Sequence, residues 1–246
     1  MSISVAMIVL NEEDLLNYCF KAIHSLSSEL KEVVVIDGFS TDSTMGIIKK
    51  WSDSLPIIVQ QNEMLDFATQ RNLALDKCTG DWILHMDADE TFTTNLLAEF
   101  QAGAFNKADL WDFPKYSTNG DVYHYEICGG VGPTTRLFKN IGFRYEREVH
   151  EYLVYPGQTG WDSTHRGGVN QYCNHVWFFD HTGLKSDKGL LEKGQRYMRF
   201  NEGSTKADIP LGEDPTLFLR NFRHPLNETT ISLFPFSRDL IFEKDD

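Results

Sequence analysis

Asp87 and Asp89 stand two residues apart at the end of the apolar run "WILHM", and Glu90 follows at once. Two carboxylates at that spacing, delivered to one strand end, can converge on a hard cation, for which oxygen is the natural ligand and magnesium or manganese the expected ion. The same acids would also suit a solvated loop, since an isolated D-x-D is a common pattern. A further carboxylate, Asp37, ends the run "EVVVID" in the same manner.

Those acids need a frame to hold them. "ISVAMIVL" is a continuous β-branched run of the kind a strand covered on both faces shows, and Leu15, Cys19, Ile23 and Leu26 follow at helical spacing. Asn11, with Asp14 three positions on, suits a helix start. "EVVVID" reads as a second strand, "GFSTDSTMGIIKKW" as a loop entering a helix near Asp42, and "IIVQ" as a short third strand. "FATQRNLALDKC" reads as a helix closed by Thr79 and Gly80, ahead of the fourth strand "WILHMD". This alternation predicts an α/β fold with a mainly parallel sheet and right-handed crossovers, in which ligands gather beyond the carboxyl ends of the strands. Asp37 and the 87–90 cluster fall at those ends.

After the helical "NLLAEFQAGAF" the character changes. "LWDFPKY", "VYHYEI", "TRLFK" and "VHEYLVY" are short, aromatic and alternating, which predicts antiparallel or mixed strands added to the sheet, with a hairpin turn at 118–120. "SDKGLLEKGQRYMRF" is helical by pattern, and "PLGEDPTLFLRNFRHP" adds a short helix.

Composition removes several functions. With 36 acids against 23 Lys and Arg, the formal net charge is -13, and no basic run offers a local patch, so a nucleic-acid partner is not expected. Cys19, Cys78, Cys128 and Cys173 are scattered and form no C-x-x-C, which argues against a zinc ribbon or a disulfide framework and suits reduced cytoplasmic thiols. The first apolar run meets acids too soon for a signal peptide or a membrane span, so the N-x-T at Asn227 carries little weight.

Two families want such acids. "ILHMDADET" resembles the nucleophile motif of haloacid dehalogenase-like phosphatases, which would make Asp87 the nucleophile and Asp89 the acid/base. That resemblance lacks the family's downstream acidic pair and leaves the first 80 residues without a role. The other resemblance uses them. "VAMIVLNEEDLL", "EVVVIDGFSTDST", "ATQRNLAL" and "GDWILHMDADE" are similar, in order and spacing, to the N-terminal signatures of the family-2 inverting glycosyltransferases of the GT-A fold, with a subset resembling bacterial lipopolysaccharide-core glucosyltransferases.

That resemblance implies a single domain over 1–246. Residues 1–105 would bind the nucleotide sugar, 106–200 the acceptor, and 201–246 would form an extension. Val9, Leu10, Asn11 and Glu13 would border the nucleotide, Asp37 the base or ribose, and Arg71 the nucleotide or its phosphates, with Ala88 beside them. Asp89 would ligate Mn2+ or Mg2+, and Asp87 would hold the ribose or a metal-bound water. A carboxylate at the end of strand two suits a ribose, and a guanidinium suits a phosphate or a planar base. By their types alone, Asn11 equally suits a helix cap and Arg71 a surface ion pair.

An inverting transferase also needs a base for the attacking hydroxyl. The subset that this chain resembles carries R-L-F followed by V-H-E, which points to Glu151; Glu148 and Asp180 are substitutes, because the E-D pair of many family members is missing. His181, in "FFDHTG", matches a late histidine of that subset and is the candidate second metal ligand, while His150 suits a core position equally well. "GGVGPTTR" with Arg136 could form a loop over substrate or a plain turn, and "WFF" at 177–179 with Tyr123 and Tyr125 could stack on sugars or fill the core. Lys185, Lys188 and Arg196 could meet donor phosphates or a membrane surface, or form a solvated face. The resemblance thus predicts transfer from a UDP-sugar to a glycan or glycolipid hydroxyl, with a non-catalytic nucleotide-sugar binder as the remaining alternative.

Overall fold

The computed structural model describes residues 1–118, 123–125, 134–148, 151–160 and 170–201. Ile3–Val9 forms β1, buried along its whole length, and helix α1 follows at Leu16–His24. Then come β2 (Leu30–Asp37), α2 (Thr44–Trp51), β3 (Ile57–Gln61), α3 (Phe67–Leu75) and β4 (Trp82–Asp87). β1 pairs in parallel with β2 and β4, and β2 with β3, so the expected crossover pattern is present. Cys19, Phe20 and Ile23 of α1 pack on one face of this sheet with Val33 and Val35, while Phe67, Ala74 and Leu75 of α3 pack on the other with Ala6 and Val34. Covering both faces is what makes the strands read as unbroken apolar runs.

Helix α1 does not start at Asn11. Asn11 adopts a left-handed conformation (φ 54°), which asparagine tolerates better than most residues, and its side chain is drawn to neighbouring segments instead of capping. Asp42 does serve the next helix, its Oδ1 accepting Thr44 N–H at 2.9 Å, and Asp66 caps α3 by accepting Thr69 N–H at 2.7 Å. α3 ends at Leu75, short of Thr79.

Beyond β4 lie β5 (Glu90–Phe92), α4 (Leu96–Gln101), β6 (Leu110–Phe113), β7 (Lys115–Thr118), β8 (Tyr123–Tyr125) and β9 (Thr134–Lys139). They are followed by β10 (Arg144–Glu146), β11 (Tyr152–Val154), β12 (Asn170–Tyr172), β13 (Phe178–Asp180) and helix α5 (Asp187–Asn201). Of these, β9, β6 and β12 extend the main sheet, whose order is β12-β6-β9-β4-β1-β2-β3, with β9 antiparallel to both neighbours. The other aromatic strands do not join it. β5, β13, β7 and β8 build a second, four-stranded sheet, and β10 and β11 a two-stranded ribbon. Pro114 marks the division between β6 and β7: without an N–H it cannot extend the β6 ladder, and its carbonyl instead accepts Phe178 N–H at 3.0 Å. β7 and β8 pair antiparallel, as a hairpin at 118–120 requires. The loop 129–133, His150, Cys128 and the proposed short helix after Pro210 lie outside the described residues.

The consequence for function is positional. Glu90 follows Asp89 directly into the second sheet, so the D-x-D segment is the joint between the two sheets. Thr182–Leu184, a single turn of 3-10 helix after β13, and then α5 return the chain to the end of β1.

Candidate active site

The end of β2 builds an open groove. Asp37 is fully buried; both of its oxygens accept Ser40 N–H, at 3.2 and 3.1 Å, and Oδ2 also accepts Gln61 Nε2–H at 3.0 Å. It thereby braces the loop that walls the groove. Leu10, Gly38, Phe39, Glu63 and Met64 line a groove of about 410 Å³ beside it. A side chain at Gly38 would approach Met64 Cβ to 3.2 Å and Leu10 Cβ to 3.3 Å, so glycine sets the groove's width. Phe39 is 54% exposed at its rim with φ 63°, an uncommon combination for a bulky residue.

The end of β1 spreads apart the residues expected beside the nucleotide. Val9 is buried in the core and contributes only its carbonyl, which accepts Gly38 N–H at 2.8 Å. Glu13 turns to the loop, its Oε2 accepting Ser43 N–H at 2.9 Å, while the neighbouring Glu12 is buried in the cleft. Asn11 ties three segments: its Oδ1 accepts Thr41 N–H at 2.9 Å and its Nδ2 donates to Glu192 of α5 at 3.0 Å.

The end of β4 carries alternating charges. Arg71 donates from Nε to Glu151 Oε1 at 2.5 Å and from Nη2 to Asp87 Oδ1 at 2.9 Å, and its Nη1 meets His85 Nε2. Arg136 donates from Nη2 to Asp87 Oδ2 at 3.3 Å and to Glu90 Oε1 at 2.5 Å. Burial works against ionisation of Asp87, but Arg71, the bond from His85 and Arg136 outweigh it and hold that carboxyl well below its usual range. Burial, helped by Asp87 and opposed by Arg136, pushes Glu90 up to about 7. His85 is driven down to about 3, first by burial and then by Arg71. It is thus a neutral imidazole, with Arg71 Nη1 at its Nε2 and Tyr145 Oη 2.7 Å from its Nδ1.

Asp89 faces a different set. Its Oδ2 accepts from Lys193 Nζ at 2.7 Å, Lys185 Nζ at 3.2 Å and Thr182 Oγ1 at 3.0 Å. Lys185, only 2% exposed, also bonds Glu12, and Arg196 lies 3.7 Å from Glu12 while donating to the Leu10 carbonyl. Burial opposes the charge on Asp89, yet Lys193 and Lys185 hold its carboxyl far below the ordinary range. Ala88, Asp87, Asp89, Lys115, Lys193 and Arg196 share a cleft of about 120 Å³ with Arg71.

The family resemblance pairs Asp89 with His181 as metal ligands. The two residues are neighbours, but through His181 N–H donating to the Asp89 carbonyl at 2.8 Å; His181 Nε2 is 2.8 Å from Thr91 Oγ1. A cation on a diphosphate asks the protein for one or two carboxylates. Asp87 gives an oxygen to each of two arginines, and Asp89 Oδ2 already receives two ammonium groups and a hydroxyl. These residues fit an ammonium at Asp89, and they do not present Asp89 and His181 as joint metal ligands. Glu12, His85, Lys115, Tyr145 and Lys193 were not singled out by sequence; of these, Lys193 had a signal, in its i, i+3 spacing to Arg196.

A mainly parallel sheet with one antiparallel member, and a charged cleft at the carboxyl ends of β1, β2 and β4, is the arrangement of the GT-A glycosyltransferases. Solved structures agree on the fold. S. aureus TarS in complex with UDP-GlcNAc matches with a TM-score of 0.57 at 15% identity, over 90% of this chain and 71% of that one. The mannosyltransferase PcManGT from Pyrobaculum calidifontis, in complex with GDP-Man and Mn2+, matches at 0.51 and 18%, over 90% and 68%. The sequence pattern of Glycosyl transferase family 2 matches residues 4–162, more than half of the chain, which therefore belongs to that family. Among curated relatives, the SPbeta prophage-derived glycosyltransferase SunS of Bacillus subtilis is 29% identical over 153 residues, 61% of this chain and 34% of SunS. The lipopolysaccharide core biosynthesis glycosyltransferase LpsC of Rhizobium meliloti is 31% identical over 171 residues, 64% of this chain and 59% of LpsC. The chain thus spans about a third of SunS and well over half of LpsC.

Proposed function

We propose that this protein transfers a sugar, with inversion, from a UDP-sugar to a hydroxyl of a glycan or glycolipid. The observation that supports the reading is that Arg71, which lines the cleft with Asp87 and Asp89, bonds both Asp87 and Glu151, the candidate base. The groove at Leu10, Gly38 and Phe39 suits a nucleobase, and the cations beyond Ala88 suit a diphosphate.

The chemistry is one displacement. The acceptor oxygen attacks the anomeric carbon as Glu151 removes its proton, and the bond from that carbon to the diphosphate oxygen breaks on the opposite face. The nucleoside diphosphate leaves with the electron pair and gains negative charge, which the site must neutralise. The resemblance assigns that task to Mn2+ or Mg2+ on Asp89. Asp89 would hold such an ion beside the two lysines on its Oδ2, and the ion would supply positive charge to the leaving diphosphate. The phosphatase reading has no support in the geometry: a nucleophilic Asp87 would need an oxygen that neither Arg71 nor Arg136 holds.

The test is direct. Purified protein is heated with UDP, GDP, UDP-sugars and GDP-mannose, and release of nucleoside diphosphate is followed with a mixed glycan acceptor pool. Stabilisation by UDP and UDP-sugars with release of UDP supports the reading. Absence of stabilisation by any nucleotide removes it, and preference for GDP moves the donor class.

A further inference from the structure

We infer that Lys193 and Lys185, with Arg196 beside them, are the built-in cation of this site: they neutralise the departing diphosphate from the position on Asp89 where a divalent ion would otherwise sit. The inference rests on the nucleotide-sugar reading above and concerns what carries the positive charge.

Three observations support it. Lys193 Nζ lies 2.7 Å from Asp89 Oδ2 and 2.7 Å from Thr182 Oγ1, so it is seated by two groups and not a wandering surface lysine. Lys185 is buried, on Glu12 and on the same Asp89 oxygen. A buried lysine is costly unless something requires its charge. Finally, Lys193 and Arg196 line the same cleft as Asp87 and Asp89, so their charge borders the space a ligand would enter. A diphosphate is the ligand that cations lining a cleft attract. A dication on Oδ2 would instead sit against both ammonium groups and add like charge to like.

The fold explains how lysines reach a strand-end acid. Thr182–Leu184 and α5 swing back over β1, and Glu192, Lys193 and Arg196 point from one face of α5 onto Asn11, Asp89 and the Leu10 carbonyl respectively. The helix that closes the site thereby brings its charge.

Calorimetric titration of the 246-residue chain with UDP, and with GDP in parallel, in EDTA and in Mn2+, tests this. UDP affinity in EDTA should lie within about threefold of that in Mn2+, and Lys193→Ala should weaken it in EDTA by about 10- to 100-fold, the effect of losing a charge-assisted bond. Added Mn2+ should recover part of that loss in Lys193→Ala, where Asp89 Oδ2 is relieved of an ammonium. Lys193→Arg should retain more affinity than Lys193→Ala, and circular dichroism of both, with Lys193→Gln as a third variant, confirms folding. Binding of UDP by the wild type only with Mn2+, or unchanged binding by folded Lys193→Ala and Lys193→Gln in EDTA, overturns the inference while leaving the transferase reading intact. Failure of both nucleotides under both conditions overturns the two together.

Discussion

Arg71 joins Glu151 to Asp87: Nε reaches the first at 2.5 Å and Nη2 the second at 2.9 Å, with the guanidinium 5.7 Å from the centre of the Tyr145 ring. The base that would activate the acceptor and the acid beside the donor are thus held by one planar group. Only arginine offers donors in that fork.

Arg71→Lys should therefore be far from conservative. An ammonium can hold one carboxylate or the other but not both in this plane, so turnover should fall about 100-fold with positioning lost. Arg71→Ala should in addition lower stability by about 1–3 kcal/mol, because Glu151 loses its ion pair while Asp87 keeps Arg136. Denaturant titration of both variants beside turnover separates the two effects. Equal stability of Arg71→Ala and wild type would mean that the ion pairs are surface decoration.

Glu151→Gln keeps the shape and the bond to Arg71 through its amide oxygen, and removes the proton acceptor. Turnover should fall about 10²- to 10⁴-fold, the range for loss of a general base, while UDP affinity stays as it was. Retained turnover would send the role to Glu148 or Asp180. Glu148 is exposed, and Asp180 lines the cleft with Asp89, paired with Lys115 at 3.5 Å.

The contrast between the two halves of the chain shows what pattern can and cannot reveal. The strands up to Asp87 were legible because each is covered on both faces and reads as an apolar run, and Asp37, Asp87 and Asp89 mark their ends. The division of the later aromatic strands into two sheets was not, since alternation in "LWDFPKY" shows a strand but not its neighbours, and only Pro114 hinted at a break. The Glu12 and Glu13 exchange is a matter of a single residue's direction after a left-handed Asn11, which no helical or strand period encodes. Lys193 contacts Asp89 across 104 positions of sequence, a pairing that only the return of α5 creates.

His85 gives the site a pH dependence with a definite sign. Its folded-state value of about 3 lies below the ordinary 6.5, so the unfolded chain binds the extra proton first as pH falls. Stability from this residue is complete above pH 6.5 and is lost as pH falls from there toward 3, at up to about 1.4 kcal/mol per pH unit. Urea unfolding of wild type and His85→Leu between pH 7 and 4.5 checks this. The wild type should lose stability more steeply, and parallel profiles would assign the neutral imidazole no part.

Phe39 holds a backbone conformation that asks for a reason. A bulky side chain at φ 63° costs about 1 kcal/mol or more, and Phe39 is exposed, so no core contact offsets it. Its position at the rim of the groove formed by Leu10, Gly38 and Met64 suggests the ring is kept for a planar ligand. Phe39→Gly should then stabilise the free protein, by relief of strain, and at the same time weaken UDP binding by about tenfold, the worth of one aromatic stack. Phe39→Tyr should restore affinity without restoring stability. Thermal unfolding and UDP titration of both variants give opposite signs for Phe39→Gly if the strain serves binding, and the same sign if the ring is merely part of the loop.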